Sequence, residues 1–172
     1  MSKNTRIFIK RPGNSDIQPA TEFAFKMIKE VYGREIDPVW DHDLLNFEDL
    51  YIKTRGNTFL AAFNENGEIV GILAVRRYDG RIKSLEGFYD LKATAELAKC
   101  YVDRKYRRRG IGSLLVKEAE QFCRGAGYKV IYLHTHMYLP GAYEFWHSQG
   151  FKLRLDEGGP RQTVHMEKIL SP

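Results

Sequence analysis

"DRKYRRRGIGSLLVKEAEQF", Asp103 to Phe122, carries five cations in the six residues Arg104–Arg109, then Gly110 and Gly112, then apolar residues at helical spacing. The basic run has three readings. It is a solvated charged face or loose polyanion patch, a short localisation signal, or one half of a phosphate cradle. The neighbours favour the third. Before it, "TAELAKCYV" (Thr94–Val102) reads as a strand, and after it Ile111–Arg124 reads as a helix. A helix N-terminus offers unpaired N–H groups and the positive end of its dipole. Glycines let a ligand approach the backbone closely. Strand, basic glycine turn and helix together suit an anion, most naturally a pyrophosphate. No G-K-[ST] follows, so it is not a Walker loop, and the third glycine of the dinucleotide fingerprint is missing.

Outward from this junction the pattern is that of one α/β domain over residues 1–172. "RIFIKRP" (Arg6–Pro12) alternates as a strand, and Ile17–Tyr32 has helical spacing, with Ser15 and Asp16 as caps and Gly33 as its stop. "DHDLLNFEDLY" (Asp41–Tyr51) reads as a second helix. "NTFLAAF", "EIVGILAVRRY" and "RIKSLEGFY" read as a three-strand meander turning at Asn64–Gly67 and Asp79–Gly80. "GYKVIYLHTH" gives a strand from Lys129, and Leu139–Ser148 a helix with Pro140 near its start. "GFKLRL" and "RQTVHMEKIL" close the chain as a hairpin around "DEGGP".

The 172 residues, 43% apolar and 28% charged, are those of an ordinary globular protein, and a net charge of +5 favours an acidic ligand without implying nucleic acid. Nucleic-acid surfaces interleave exposed aromatics with spread cations, whereas here only Tyr106 lies among cations crowded at one turn. Cys100 and Cys123 form no C-x-x-C pair and fit a reduced, cytoplasmic chain. Met1–Arg11 lacks the apolar run of a signal peptide, and no stretch approaches the ~20 apolar residues of a membrane span.

"RRRGIG" (Arg107–Gly112) resembles the (Q/R)-x-x-G-x-(G/A) motif of the GNAT N-acetyltransferase superfamily. "CYVDRKY" before it resembles the family's fourth strand and loop, and "LPGAYEFWHSQGF" (Leu139–Phe151) its later helix and strand. The resemblance covers nearly the whole chain and implies a mixed sheet of six to seven strands with about four helices, its two cofactor strands splayed. It implies an acetyl-CoA-dependent N-acetyltransferase acting on a primary amine of a small molecule or protein by direct attack. Coenzyme A would bind at Arg107, Arg108, Arg109, Gly110, Ile111, Gly112 and Ser113 through its pyrophosphate. Its pantetheine arm would pair with the backbone of Cys100 and Val102. A homodimer is compatible with the sequence.

Acetyl transfer to an amine needs a proton acceptor, an oxyanion donor and a tolerable leaving group. Glu96 is the first candidate base: it lies eleven positions before Arg107, the spacing of the family's histone-type members, among apolar neighbours that would raise its pKa. The alternative is a strand-end glutamate facing solvent or an arginine. His134 and His136 share one strand face and are the second candidates, as substrate-facing groups or as structural hydrogen-bonders; without a third ligand no metal is expected. The family's usual tyrosine acid is Trp146 here, so Tyr143, one turn earlier, or Tyr138 would donate the proton. The vacancy also permits a second reading, a non-catalytic acyl-CoA sensor. Glu30, Glu35, Asp37, Asp41, Asp43, Glu48 and Asp49 form either an acidic rim for a cationic acceptor or ordinary helix solvation.

Overall fold

A computed structural model describes residues 5–172; the first four residues of the Met1–Arg11 segment, read above for a signal peptide, lie outside the described residues. The strands are β1 (Phe8–Lys10), β2 (Thr58–Phe63), β3 (Ile69–Arg77), β4 (Thr94–Val102), β5 (Val130–His136), β6 (Lys152–Gly158) and β7 (Thr163–Ile169). The helices are α1 (Ile17–Tyr32), α2 (His42–Leu45), α3 (Ile111–Gly125) and α4 (Ala142–Ser148). One mixed sheet has the order β1-β2-β3-β4-β5-β7-β6. Two compact units divide the chain, one up to Arg76 together with Ala98–Ala119, the other Arg77–Leu97 together with Glu120–Pro172.

In the first unit β2 pairs antiparallel with β1 (Ile9↔Ala62) and with β3 (Leu60↔Leu73). α1 buries Ala20, Phe23, Ala24, Met27 and Ile28, one helical stripe, against Phe47, Tyr51 and Phe59. It stops at Gly33, whose φ of 65° needs a residue without a Cβ, and whose N–H donates to Lys29 O. Gly71 of β3 is small for the sake of close approach. A Cβ there would lie 3.2 Å from Ile111 Cγ2 and 3.3 Å from Leu115 Cδ1, so its absence lets the start of α3 settle onto β3. In the second unit β4 pairs in parallel with β5 over Thr94–Glu96, and β7 pairs antiparallel with both β5 and β6. Tyr78, Leu85 and Tyr132 form its aromatic core, and Trp146 packs edge-on to Phe151 at 5.4 Å.

Four local expectations give way. Arg81–Tyr89 is not a strand: its apolar residues Ile82, Leu85 and Phe88 recur every third position. The backbone follows that period in 3₁₀ turns, Leu85 N donating to Ile82 O and Phe88 N to Leu85 O. Asp41–Tyr51 is not one helix. Asn46 closes α2 with its amide on His42 O, and a π-helical segment Glu48–Lys53 follows. α4 starts at Ala142, because Gly141 takes a left-handed φ of 75°. Asp16 accepts from Gly13 N rather than from the first turn of α1, and so closes the 3₁₀ turn Asn14–Asp16 ahead of it.

Candidate active site

The residues expected to bind coenzyme A all lie in the first unit. β4 ends at Val102, a 3₁₀ turn Arg104–Tyr106 follows, and α3 begins at Ile111. Asp103 fixes this junction: its amide donates to Val70 O, its carboxylate accepts from Lys105 N and binds Lys26 Nζ at 3.2 Å. Arg108 and Gly110 both adopt left-handed φ, 61° and 79°. A non-glycine residue held there is strained, and such strain concentrates at ligand-binding turns. The first helical bond of α3 runs from Leu114 N to Gly110 O, so the amides of Ile111 and Gly112 precede the helical ladder at its positive end. Ile111 itself is buried, whereas Arg107, Arg108, Arg109, Gly110 and Ser113 are exposed. Backbone amides plus exposed guanidinium groups are the donor set a pyrophosphate needs. Arg109 lies over the Tyr106 ring at 5.2 Å, and Arg107 Nε donates to Val102 O at 3.1 Å. Val102 O therefore already has one donor, and a carbonyl has two lone pairs.

Just before Cys100, Lys99 of β4 takes a left-handed φ of 54°. Its ammonium binds Asp41 Oδ1 at 2.8 Å and lies 3.8 Å from Asp43 Oδ1. Arg34 Nη1 and the Asp37 amide complete the shell of Asp41 at 2.7 and 2.8 Å. Burial works to raise the Asp41 pKa, but Arg34, the Asp37 amide and Lys99 outweigh it and bring it down to about 2. Asp43 accepts from Tyr51 OH at 2.5 Å. Asp41 and Asp43 are fully buried and belong to no acidic rim; the sequence pattern could not separate them from the exposed Glu35, Glu48 and Asp49.

The candidate catalytic residues fall in the second unit. Glu96 pairs across the parallel ladder with Tyr132, and His134 across the antiparallel one with His165, so the four share a face of the sheet. Glu96 is fully buried, and both its oxygens accept from the Arg81 guanidinium at 2.7 Å. Glu96 therefore faces an arginine rather than solvent. His134 Nδ1 lies 4.0 Å from Glu96 Oε2, with about 36% of the His134 side chain exposed. Packing around its ring lowers the His134 pKa to about 4; Glu96 opposes this, and Arg81, His136 and His165 add to it. The imidazole is therefore neutral at pH 7. His136 Nδ1 donates to Arg161 O at 2.8 Å. Tyr143 stacks on His147 at 6.3 Å, Tyr138 stacks on His136 at 5.2 Å, and Trp146 is core.

Arg81, Tyr132, His165 and Glu157 do not stand out in the sequence. The alternation Tyr132-x-His134 is the signal for one of them, since it puts both on one face. His165 becomes visible only once β7 is in register with β5. Among the described residues no group of three His, Cys, Asp or Glu stands together for a metal, and no helix is long and apolar enough to cross a membrane.

Residues 22–151 match the acetyltransferase (GNAT) family model, and the chain belongs to that family. It is similar to N-acetyltransferase 8 of Homo sapiens, 28% identical over 129 residues, which cover 73% of this chain and 52% of that protein. The chain thus spans about half the length of that curated relative. Among solved structures it is similar to a GNAT-family acetyltransferase from Staphylococcus aureus Mu50, with a TM-score of 0.78, 24% identity, and coverage of 96% of this chain and 100% of the other. It is also similar to the PaiA N-acetyltransferase from Thermoplasma acidophilum in complex with coenzyme A, with a TM-score of 0.69, 20% identity, and coverage of 96% and 99%. At these identities the two structures establish the fold.

Proposed function

We propose that the chain is one catalytic domain that transfers the acetyl group of acetyl-CoA to a primary amine of a small molecule or protein. The observation that carries this reading is the junction of β4, the exposed Arg107–Arg109 turn and the N-terminus of α3. A turn with two left-handed residues there sets cations beside the first amides of a helix. The family match spans residues of both units, which supports a single domain.

In this reading the amine nitrogen attacks the thioester carbon, the C–N bond forms and the C–S bond breaks. The amine reacts as its neutral fraction, since an alkyl ammonium of pKa ~10.4 has no lone pair to offer. As the C–N bond forms, the nitrogen becomes a far stronger acid, so a weakly basic imidazole suffices to take its proton. With both oxygens of Glu96 engaged by Arg81, His134 is the more available acceptor, and Glu96 stands behind it as a fixed negative charge. The thiolate leaves as such or takes a proton from Tyr143. The second reading, an acyl-CoA sensor, draws support from the burial of Trp146 where the family keeps a hydroxyl.

A panel of small amines and N-terminal peptides incubated with acetyl-CoA, with free thiol followed over time, separates the two. Amine-dependent thiol release is the expected result. Acetyl-CoA binding by calorimetry without release for any amine would favour the sensor, and no acyl-CoA binding would overturn both.

A further inference from the structure

The groups behind His134 form a chain with a direction, from the buried Tyr132 and His165 out to the partly exposed Glu157. Tyr132 OH lies 2.7 Å from His165 Nδ1 and 3.4 Å from His134 Nδ1. On its far side, His165 Nε2 faces Glu157 Oε1 at 3.2 Å, and that same oxygen accepts from Ser84 Oγ at 2.5 Å. His165 is 2% exposed and Tyr132 fully buried. Two hydrogen placements would satisfy the inner contacts. In one, His165 carries its proton on Nε2, Tyr132 donates to His165 Nδ1 and accepts from His134 Nδ1–H. In the other every proton is reversed: His165 holds it on Nδ1, Tyr132 donates to His134, and His134 carries its proton on Nε2.

Glu157 decides between them. A carboxylate oxygen 3.2 Å away tolerates an N–H at His165 Nε2 but repels a lone pair there, and the His165 side of the contact is buried although Glu157 itself is partly exposed. The hydrogen bond from Ser84 comes first among the influences keeping Glu157 in its anionic form. At the other end Glu96 Oε2, 4.0 Å from His134 Nδ1, favours a proton on that same nitrogen. Arg81 neutralises part of that influence through its 2.7 Å contacts with Glu96, so the Glu157 end carries the larger share.

We propose that Glu157, His165 and Tyr132 are positioning residues that lock His134 in its Nδ1–H tautomer, leaving Nε2 as the lone-pair nitrogen that takes the amine proton. The inference rests on the reading of His134 as proton acceptor, which it deepens. The partner that fixes one imidazole nitrogen determines what the other can do. Here the fixing partner is three side chains away, on β6, where the carboxylate is partly exposed.

The test is ¹⁵N NMR of imidazole-labelled protein at pH 7, with the His134 signals assigned by their loss in His134→Gln. The wild type should hold the Nδ1–H form over the Nε2–H form by at least about tenfold, the scale of a largely screened charge contact at that distance. Glu157→Gln keeps shape and polarity, but its amide can donate or accept at will, so the direction is lost and the ratio should fall several-fold. kcat should fall in parallel while the acetyl-CoA Kd stays unchanged. Tyr132→Phe, which cuts the chain nearer His134, should do the same in the folded fraction. An Nε2–H His134 in the wild type, or a ratio unmoved by Glu157→Gln, overturns the proposal. Because tautomers are read without turnover, that failure is distinct from failure of the base assignment, which would appear as full activity in His134→Gln.

Discussion

The Glu96 carboxylate sits without solvent contact, and the Arg81 fork holds both its oxygens. A residue so engaged is available to tune a neighbour but poorly placed to accept a proton itself. His134 is the opposite: its ring reaches solvent, and its pKa of about 4 leaves it neutral through the working range. His134→Gln is therefore expected to lower kcat by about 10²–10⁴-fold, the usual worth of a general base, with acetyl-CoA affinity kept. Glu96→Gln should cost less than about tenfold, since it removes only a neighbouring charge. The wild-type rate should climb with pH as the amine deprotonates, with no inflection near ~6.5, because a histidine with a depressed pKa has already lost its proton there. Steady-state kinetics of both variants from about pH 6 to 9 provide the check. The reverse order of losses would return the role to Glu96.

At the scale of the element, the start of α3 is held by two independent contacts. Gly71 lets Ile111 and Leu115 settle onto β3, and Asp103 pins the preceding loop to Val70 and Lys26. The turn between them leaves Arg108 exposed in a left-handed conformation. Gly112→Asp sets a carboxylate beside the amides that would meet a pyrophosphate, and a like charge there repels the ligand. We expect it to abolish acetyl-CoA binding in calorimetry while the variant keeps its melting temperature without ligand. Arg108→Ala should weaken binding more at low than at high salt, since exposed charges are screened. A Gly112→Asp protein that binds acetyl-CoA like the wild type would remove the cradle from this turn.

For the whole molecule, the buried carboxylate Asp41 makes stability depend on pH. Its pKa lies below the ordinary 3.8, at about 2, so the folded state holds the charged form more tightly than the unfolded chain does. A group depressed on folding contributes fully above its unfolded pKa and loses that contribution as pH falls through its folded one. The difference is on the order of 2 kcal/mol, at about 1.36 kcal/mol per unit. Urea unfolding should show Asp41→Asn less stable than the wild type by about that amount at pH 7, with the gap closing as pH drops from about 4 to 2. A constant gap down to about pH 2 would mean that the loss is one of packing rather than of charge.

Local signals in the sequence carried the bounds of β4, the start of α3, α1 with its Gly33 stop, and the resemblance to the family through "RRRGIG" and "LPGAYEFWHSQGF", a family that the match over residues 22–151 shows. Each rests on interactions within one element or on backbone chemistry that a short motif must encode. Those signals failed where long-range partners decide. Arg81–Tyr89 follows its period of three into 3₁₀ turns, but that its Arg81 meets Glu96, fifteen residues on, no local signal told. Asp41 and Asp43 had the spacing of a helix surface, yet Lys99, fifty-eight residues after Asp41, draws them inward. Glu96 was legible as a candidate, but its arginine was not. The order of charges around His134 depends on strand register between β5 and β7 and on β6 beyond it. Register is a property of paired strands, and no single strand contains it.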